Sequence, residues 1–120
     1  MDRILVVDDD ESVRDLLISF FETHGFSAQG AENGRAGLAL ARTINPRVVL
    51  LDIIMPGLNG LETLGALKII LPETIVIMMS GVADQELALE ALNLGAYDFI
   101  EKPFDLDYLE RVLLVKLATN

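Results

Sequence analysis

Residues 47–60 read RVVLLDIIMPGLNG, and this stretch decides the fold. Val48, Val49, Leu50 and Leu51 follow one another with no polar residue between them. That is the pattern of a strand buried on both faces rather than on one. The run stops at Asp52, a charge that a strand interior does not tolerate unpaired. Pro56, Gly57, Asn59 and Gly60 then break regular structure into a loop. A single carboxylate thus stands where a buried parallel strand emerges, and in open α/β sheets that edge is where ligands bind.

The flanking chain supplies the rest of such a sheet. Ile4, Leu5, Val6 and Val7 form a short strand ended by Asp8, Asp9, Asp10 and Glu11. Asp10 is placed to cap a helix in which Val13, Leu16, Leu17, Phe20 and Phe21 recur at helical spacing, with Gly25 as its stop. Residues 27–31 read as a weaker strand at a sheet edge, and Asn33-Gly34 leads into a helix over about 34–43 that Pro46 closes. After the central strand come a helix over about 61–70, ended by Pro72, and an apolar strand over 75–79 that runs into Ser80-Gly81. A helix from Asp84 to about Leu94 stops at Gly95. Residues 97–100 form the last strand, and Asp105 caps a final helix reaching about Leu117. Five strands alternating with five helices predict one parallel sheet covered on both faces by right-handed crossovers, in a single domain over 1–120.

Composition narrows the function. A chain of 120 residues that is 52% hydrophobic is long enough for one real core. No apolar run approaches the roughly 20 residues needed to span a bilayer, and Met1-Asp2-Arg3 is not a signal peptide. The absence of cysteine removes disulfides and thiolate metal sites. A net charge of −10 repels nucleic-acid phosphates and anionic membranes, so the expectation is a cytoplasmic domain that binds neither. The lone His24, next to Gly25, reads as a helix-end residue rather than a ligand.

On a parallel sheet all strand carboxyl ends share one edge. Asp8 and Asp9 fall there after the first strand, Asp52 after the third, Ser80 after the fourth and Lys102 after the fifth. Taken singly they would be a solvated turn, a turn hydroxyl and a surface lysine; their joint placement is what points to a site. Three crowded carboxylates must take up protons or gather round a cation. Oxygen donors without His or Cys suit Mg²⁺, with Mn²⁺ as a substitute. With a hydroxyl and an ammonium alongside, the set reads as a place where one carboxylate accepts a phosphoryl group. A nucleotide or flavin site is the weaker reading, because it wants glycines and hydroxyls where this chain has three aspartates.

VVDDD (6–10), LLDIIMPGLNG (50–60), MMSG (78–81) and AYDFIEKPF (96–104), in that order, resemble the receiver domain of two-component response regulators. Both the chemotaxis receiver and the receivers of transcriptional regulators share the pattern. The resemblance implies a flavodoxin-like (βα)5 sheet of strand order 2-1-3-4-5. It implies Asp52 as phosphoacceptor, Asp9 as direct metal ligand, Asp8 as holder of metal-bound waters and the Ile54 backbone carbonyl as a further ligand. Ser80 and Lys102 would meet the phosphoryl group, Phe99 would be the switch aromatic, and the Lys102–Pro103 bond would be cis.

The same resemblance implies a histidine kinase or histidine phosphotransfer protein as donor. The surface of the fourth helix, fifth strand and fifth helix would act on an output domain or effector protein. That face is rich in apolar residues (Leu87, Leu89, Ala91, Leu92 and Leu94; Leu113, Leu114, Val115 and Leu117), which also suits a homodimer. The chain would catalyse only its own phosphorylation and dephosphorylation. Ile54 and Val82 are apolar where such domains often carry polar residues, which predicts a slowly hydrolysed phosphoryl group. A haloacid-dehalogenase-like phosphohydrolase would want a second acid at Ile54, and a phosphorylation-independent binding module would not need the acidic set. Whether the domain stands alone or belongs to a longer regulator is open at this level.

Overall fold

The computed structural model describes residues 2–81, 84–103 and 105–119. Strands β1 (Arg3–Val7), β2 (Ser27–Ala31), β3 (Val48–Asp52), β4 (Ile75–Ser80) and β5 (Asp98–Glu101) alternate with helices α1 (Glu11–Thr23), α2 (Gly34–Ile44), α3 (Gly60–Ile70), α4 (Gln85–Asn93) and α5 (Leu106–Thr119). All neighbouring strands pair in parallel, in the order β2-β1-β3-β4-β5. This is the flavodoxin-like arrangement expected from the alternation and the resemblance.

The period of two along each strand divides the core. Leu5, Val7, Val49, Leu51, Val76 and Met78 face α2, α3 and α4, where Ala41, Ile44, Leu64, Leu67 and Ala91 complete the layer. Ile4, Val6, Val48, Leu50, Ile77 and Met79 face α1 and α5 and pack with Leu17, Phe21, Leu109 and Leu113. Both faces of β3 are therefore filled, which is why its sequence shows no alternation. Since β1 sits between β2 and β3, the chain reverses direction across the sheet at β1. The crevice outside the carboxyl ends of β1 and β3 is the topological switch point.

Helix starts follow local chemistry. The Asp10, Asn33, Asn59 and Asp84 side chains accept from first-turn N–H groups of α1, α2, α3 and α4. Asp105 does the same for Asp107 and Tyr108 at the start of α5. Helix α3 begins one residue before the sequence places it, because Asn59 and Glu62 form a reciprocal capping box. Asn45 ends α2 in the left-handed region at φ 49°. His24 is the C-cap of α1: its Nδ1 lies 2.8 Å from the Phe20 carbonyl, and its Nε2 lies 3.5 Å from Glu110 on α5.

Candidate functional site

Pairing of β1 with β3 sets Val7 opposite Leu51, so the residues that follow, Asp8 and Asp52, leave the sheet side by side. Asp8 is fully buried and Asp52 is 5% exposed, while Asp9 is open to solvent. Carboxylate oxygens of Asp8, Asp9 and Asp52 lie within 4.8 Å of one another. Lys102 follows β5, and its side chain extends past the ends of β4 and β3 to this cluster. Its Nζ donates to Asp8 Oδ2 at 2.6 Å and stands 3.4 Å from Asp52 Oδ2. Three carboxylates thus face one ammonium.

The main chain fixes these groups. The Asp10 N–H donates to Asp8 Oδ1 at 2.9 Å, and the Ile54 N–H donates to Asp52 Oδ1 at 3.3 Å. The loop after β3 is closed at its base: Ile53 N–H donates to the Met79 carbonyl and Gly60 N–H to the Ile53 carbonyl. A Cβ at Gly60 would collide with the Asp52 carbonyl oxygen and Ile53 Cα, so only glycine lets α3 start this close to the acid. Ser80 is buried at the end of β4, and its carbonyl accepts from the Lys102 N–H at 2.7 Å. The Lys102–Pro103 peptide bond is cis.

Burial, then the Asp8 charge, push the Asp52 carboxyl up to about 6, against the opposing pull of Lys102 and the Ile54 N–H. For Lys102, burial alone works to lower the pKa. The hydrogen bond to Asp8 and the charges of Asp52 and Asp8 outweigh it, and the ammonium is held above its ordinary range. The pocket is therefore short of positive charge. An all-oxygen donor set of this kind fits a hard divalent cation.

Of the other residues singled out from sequence, Phe99 is half-buried on β5 and packs against the core layer under α2, α3 and α4. The Ile54 side chain is 56% exposed beside the pocket. Val82 and Phe104 lie outside the described residues, as does the side chain of Leu114. On the surface of α4, β5 and α5, Leu89, Leu92, Leu94, Tyr97, Tyr108 and Val115 are exposed. Leu87 and Leu117 are half-buried there, and Ala91 and Leu113 belong to the core. One contact has no signal in the sequence: Arg14 Nη1 donates to the Asp8 carbonyl at 2.8 Å.

A family model, the response regulator receiver domain, matches residues 4–114. The chain is 43% identical over 113 residues to the regulatory protein AtoC of Escherichia coli, covering 94% of this chain and 24% of that protein. It is 36% identical over 106 residues to sporulation initiation phosphotransferase F of Bacillus subtilis, covering 88% of this chain and 86% of the relative. The crystal structure of the receiver domain of NtrX from Brucella abortus superposes with a TM-score of 0.90 at 41% identity, covering 98% of this chain and 99% of that one. The chain thus spans about a quarter of AtoC but most of the phosphotransferase.

Proposed function

This chain belongs to the response regulator receiver family, and from that premise we propose that Asp52 takes a phosphoryl group from the phosphohistidine of a kinase or phosphotransfer protein. In this step an Asp52 oxygen bonds to phosphorus as the bond from phosphorus to the imidazole nitrogen breaks. Asp9, Asp52 and the Ile54 carbonyl would hold Mg²⁺, or Mn²⁺ in its place, with Asp8 binding its waters. When bound, the ion supplies positive charge for the phosphoryl oxygens.

The chain's own groups do the rest. Lys102, already 3.4 Å from Asp52, places its ammonium where charge develops on the transferring group. The Ser80 hydroxyl donates to a phosphoryl oxygen. That draws the loop after β4 inward and makes room for the Phe99 ring to turn, a shift between two packings on the β5 surface. The surface of α4, β5 and α5, with its exposed Leu89, Leu92 and Val115, carries the change to an output domain, an effector protein or a second copy of the chain. The only chemistry assigned to the chain is its own phosphorylation and dephosphorylation. Among the described residues no helix is long and apolar enough to cross a membrane.

The observation that carries this reading is Lys102 bridging Asp8 and Asp52 across three strand ends, inside a cluster of three carboxylates. Incubation with acetyl phosphate and Mg²⁺ should add one phosphoryl group, detected as an intact mass shift, and Asp52→Ala should add none. Equal modification of that variant would refute the assignment.

A further inference from the structure

The β1–β2 ladder ends at Asp8, whose N–H donates to the Ala31 carbonyl at 3.1 Å. Beyond Ala31 the opposing chain turns away, and Asn33 caps α2, so β2 offers no next rung. Buried backbone carbonyls at such a point need a donor from elsewhere. Arg14, in the second turn of α1, supplies it at 2.8 Å. The side chain can reach because Gly30 on β2 is bare. A Cβ there would come within 3.1 Å of Ile18 Cδ1 and 3.2 Å of Arg14 Cδ, closer than such contacts ordinarily settle. Arg14 and Ile18, one helical turn apart, lie together over that gap.

The turn held in this way carries Asp8, Asp9 and Asp10. Its other anchors are the Asp8 N–H on the Ala31 carbonyl, the Asp10 N–H on Asp8 Oδ1 and Lys102 on Asp8 Oδ2. The last two act on the Asp8 carboxylate and the first on its N–H, whereas Arg14 is the side chain that grips the Asp8 carbonyl. We propose that Arg14 is a positioning residue of the acidic pocket, fixing the main chain that presents Asp8 and Asp9 to a divalent cation, and that Gly30 gives it the room. The inference rests on reading that pocket as a Mg²⁺ site. Two effects of Arg14 oppose each other: its charge near the pocket disfavours a cation, and its hydrogen bond preorganises the ligands. The guanidinium is tied to a carbonyl rather than to the carboxylates, so the second effect dominates.

The test is calorimetric titration of the whole chain with Mg²⁺ alone, together with amide hydrogen exchange at Asp10 in the metal-free protein. Arg14→Met keeps the apolar stem and removes the donor. It should weaken Mg²⁺ binding about three- to tenfold, the low end for partners that orient metal ligands, and should speed exchange at Asp10. Gly30→Val, with Arg14 intact, should weaken binding in the same direction. Val13→Ala, which trims packing from the first turn of α1 without touching Asp8, should leave the affinity unchanged. If Arg14→Met binds Mg²⁺ as tightly as the parent or more tightly, or if Val13→Ala weakens it equally, the inference is overturned. A parent protein that binds no Mg²⁺ would instead overturn the reading of the pocket itself, which the exchange measurement does not depend on.

Discussion

At the carboxyl edge of the sheet Asp8 and Asp52, with Asp9 beside them, share the ammonium of Lys102, whereas at the amino edge Arg3, Arg47 and Lys68 each direct a donor to main-chain carbonyls. Arg3 Nη1 donates to Ile44 at the end of α2, and Arg47 Nη2 to Leu117 near the end of α5. Arg47 Nη1 pairs with Asp2, and Lys68 Nζ donates to both Pro72 and Thr74. Helix carboxyl ends present carbonyls without intrahelical partners and a negative dipole end, and these cations answer both. The amino edge also holds a cleft of about 810 Å³ lined by Arg47, Lys68, Glu73 and Tyr97. Concavity and clustered charge therefore occur at both edges. The difference is that charge at one edge is used up by the fold, and at the other it is left in excess.

Removing a lysine from each edge would break this contrast most directly. Lys102→Met takes the ammonium from two buried carboxylates and from the developing charge of the transferred group. The rate of phosphorylation by acetyl phosphate should fall about a hundred- to a thousandfold. Lys68→Met loses two hydrogen bonds to carbonyls and should cost about 1–2 kcal/mol of stability while leaving that rate unchanged. Comparable rate losses in the two variants would show that the edges do not differ in kind.

How much of this was legible in the sequence depended on what each residue bonds to. The four apolar residues of β3 and the acids at strand ends are visible because side-chain identity alone places them, once the sheet is parallel. The Asn59–Glu62 capping box is recognised only in the structure. The sequence places the helix one residue late, since Gly60 reads as loop until its close approach to the Asp52 carbonyl is seen. Arg14 was not legible, because its partner is a main-chain carbonyl and every residue has one. Nor was the division of helix surfaces: Leu113 lies in the core while Val115, two residues on, is 62% exposed, and composition does not separate them.

The excess charge should also appear in the pH dependence of stability. Asp52 titrates at about 6 in the fold against an ordinary 3.8. Between those values the native chain holds a proton that the unfolded chain has released. Stability therefore falls as pH rises from about 4 to about 6 and is flat above, with a total of at most about 3 kcal/mol. Asp52→Asn should remove that fall and be the more stable protein at neutral pH. Mg²⁺ added to the parent at pH 7.5 should recover stability by mass action. The comparison is made by urea unfolding of parent and variant across the pH range. A parent curve that runs parallel to that of Asp52→Asn would mean that Asp52 carries no excess charge.

A smaller effect is expected within the carboxyl edge itself. The Ile54 side chain, 56% exposed beside the pocket, offers no hydrogen bond to a water approaching phosphorus. Ile54→Asn should speed loss of the phosphoryl group about tenfold by orienting that water. Decay of the purified phosphoprotein, followed by mass, decides it: an unchanged half-life would show that this position does not govern hydrolysis.

The smallest predicted effect probes the amino edge by way of Thr74, which directly precedes β4, the strand that carries Ser80 at its far end. Thr74 is 4% exposed, and its hydroxyl donates to the Pro46 carbonyl at 2.9 Å while its own carbonyl accepts from Lys68. Thr74→Val keeps the shape and deletes one buried donor, leaving the Pro46 carbonyl unanswered. About 1 kcal/mol should be lost, read as a lower urea midpoint with an unchanged slope. A strand of this length sets the two edges about 20 Å apart, and β4 is paired to β3 from Ile75 to Met79 and to β5 from Ile77 to Ser80. The hydroxyl is answered entirely by a carbonyl at its own edge, so its loss should be absorbed there. Mg²⁺ affinity and phosphorylation rate should then match the parent. A shift in either would mean that β4 transmits strain along its length, and that the amino edge takes part in the chemistry after all.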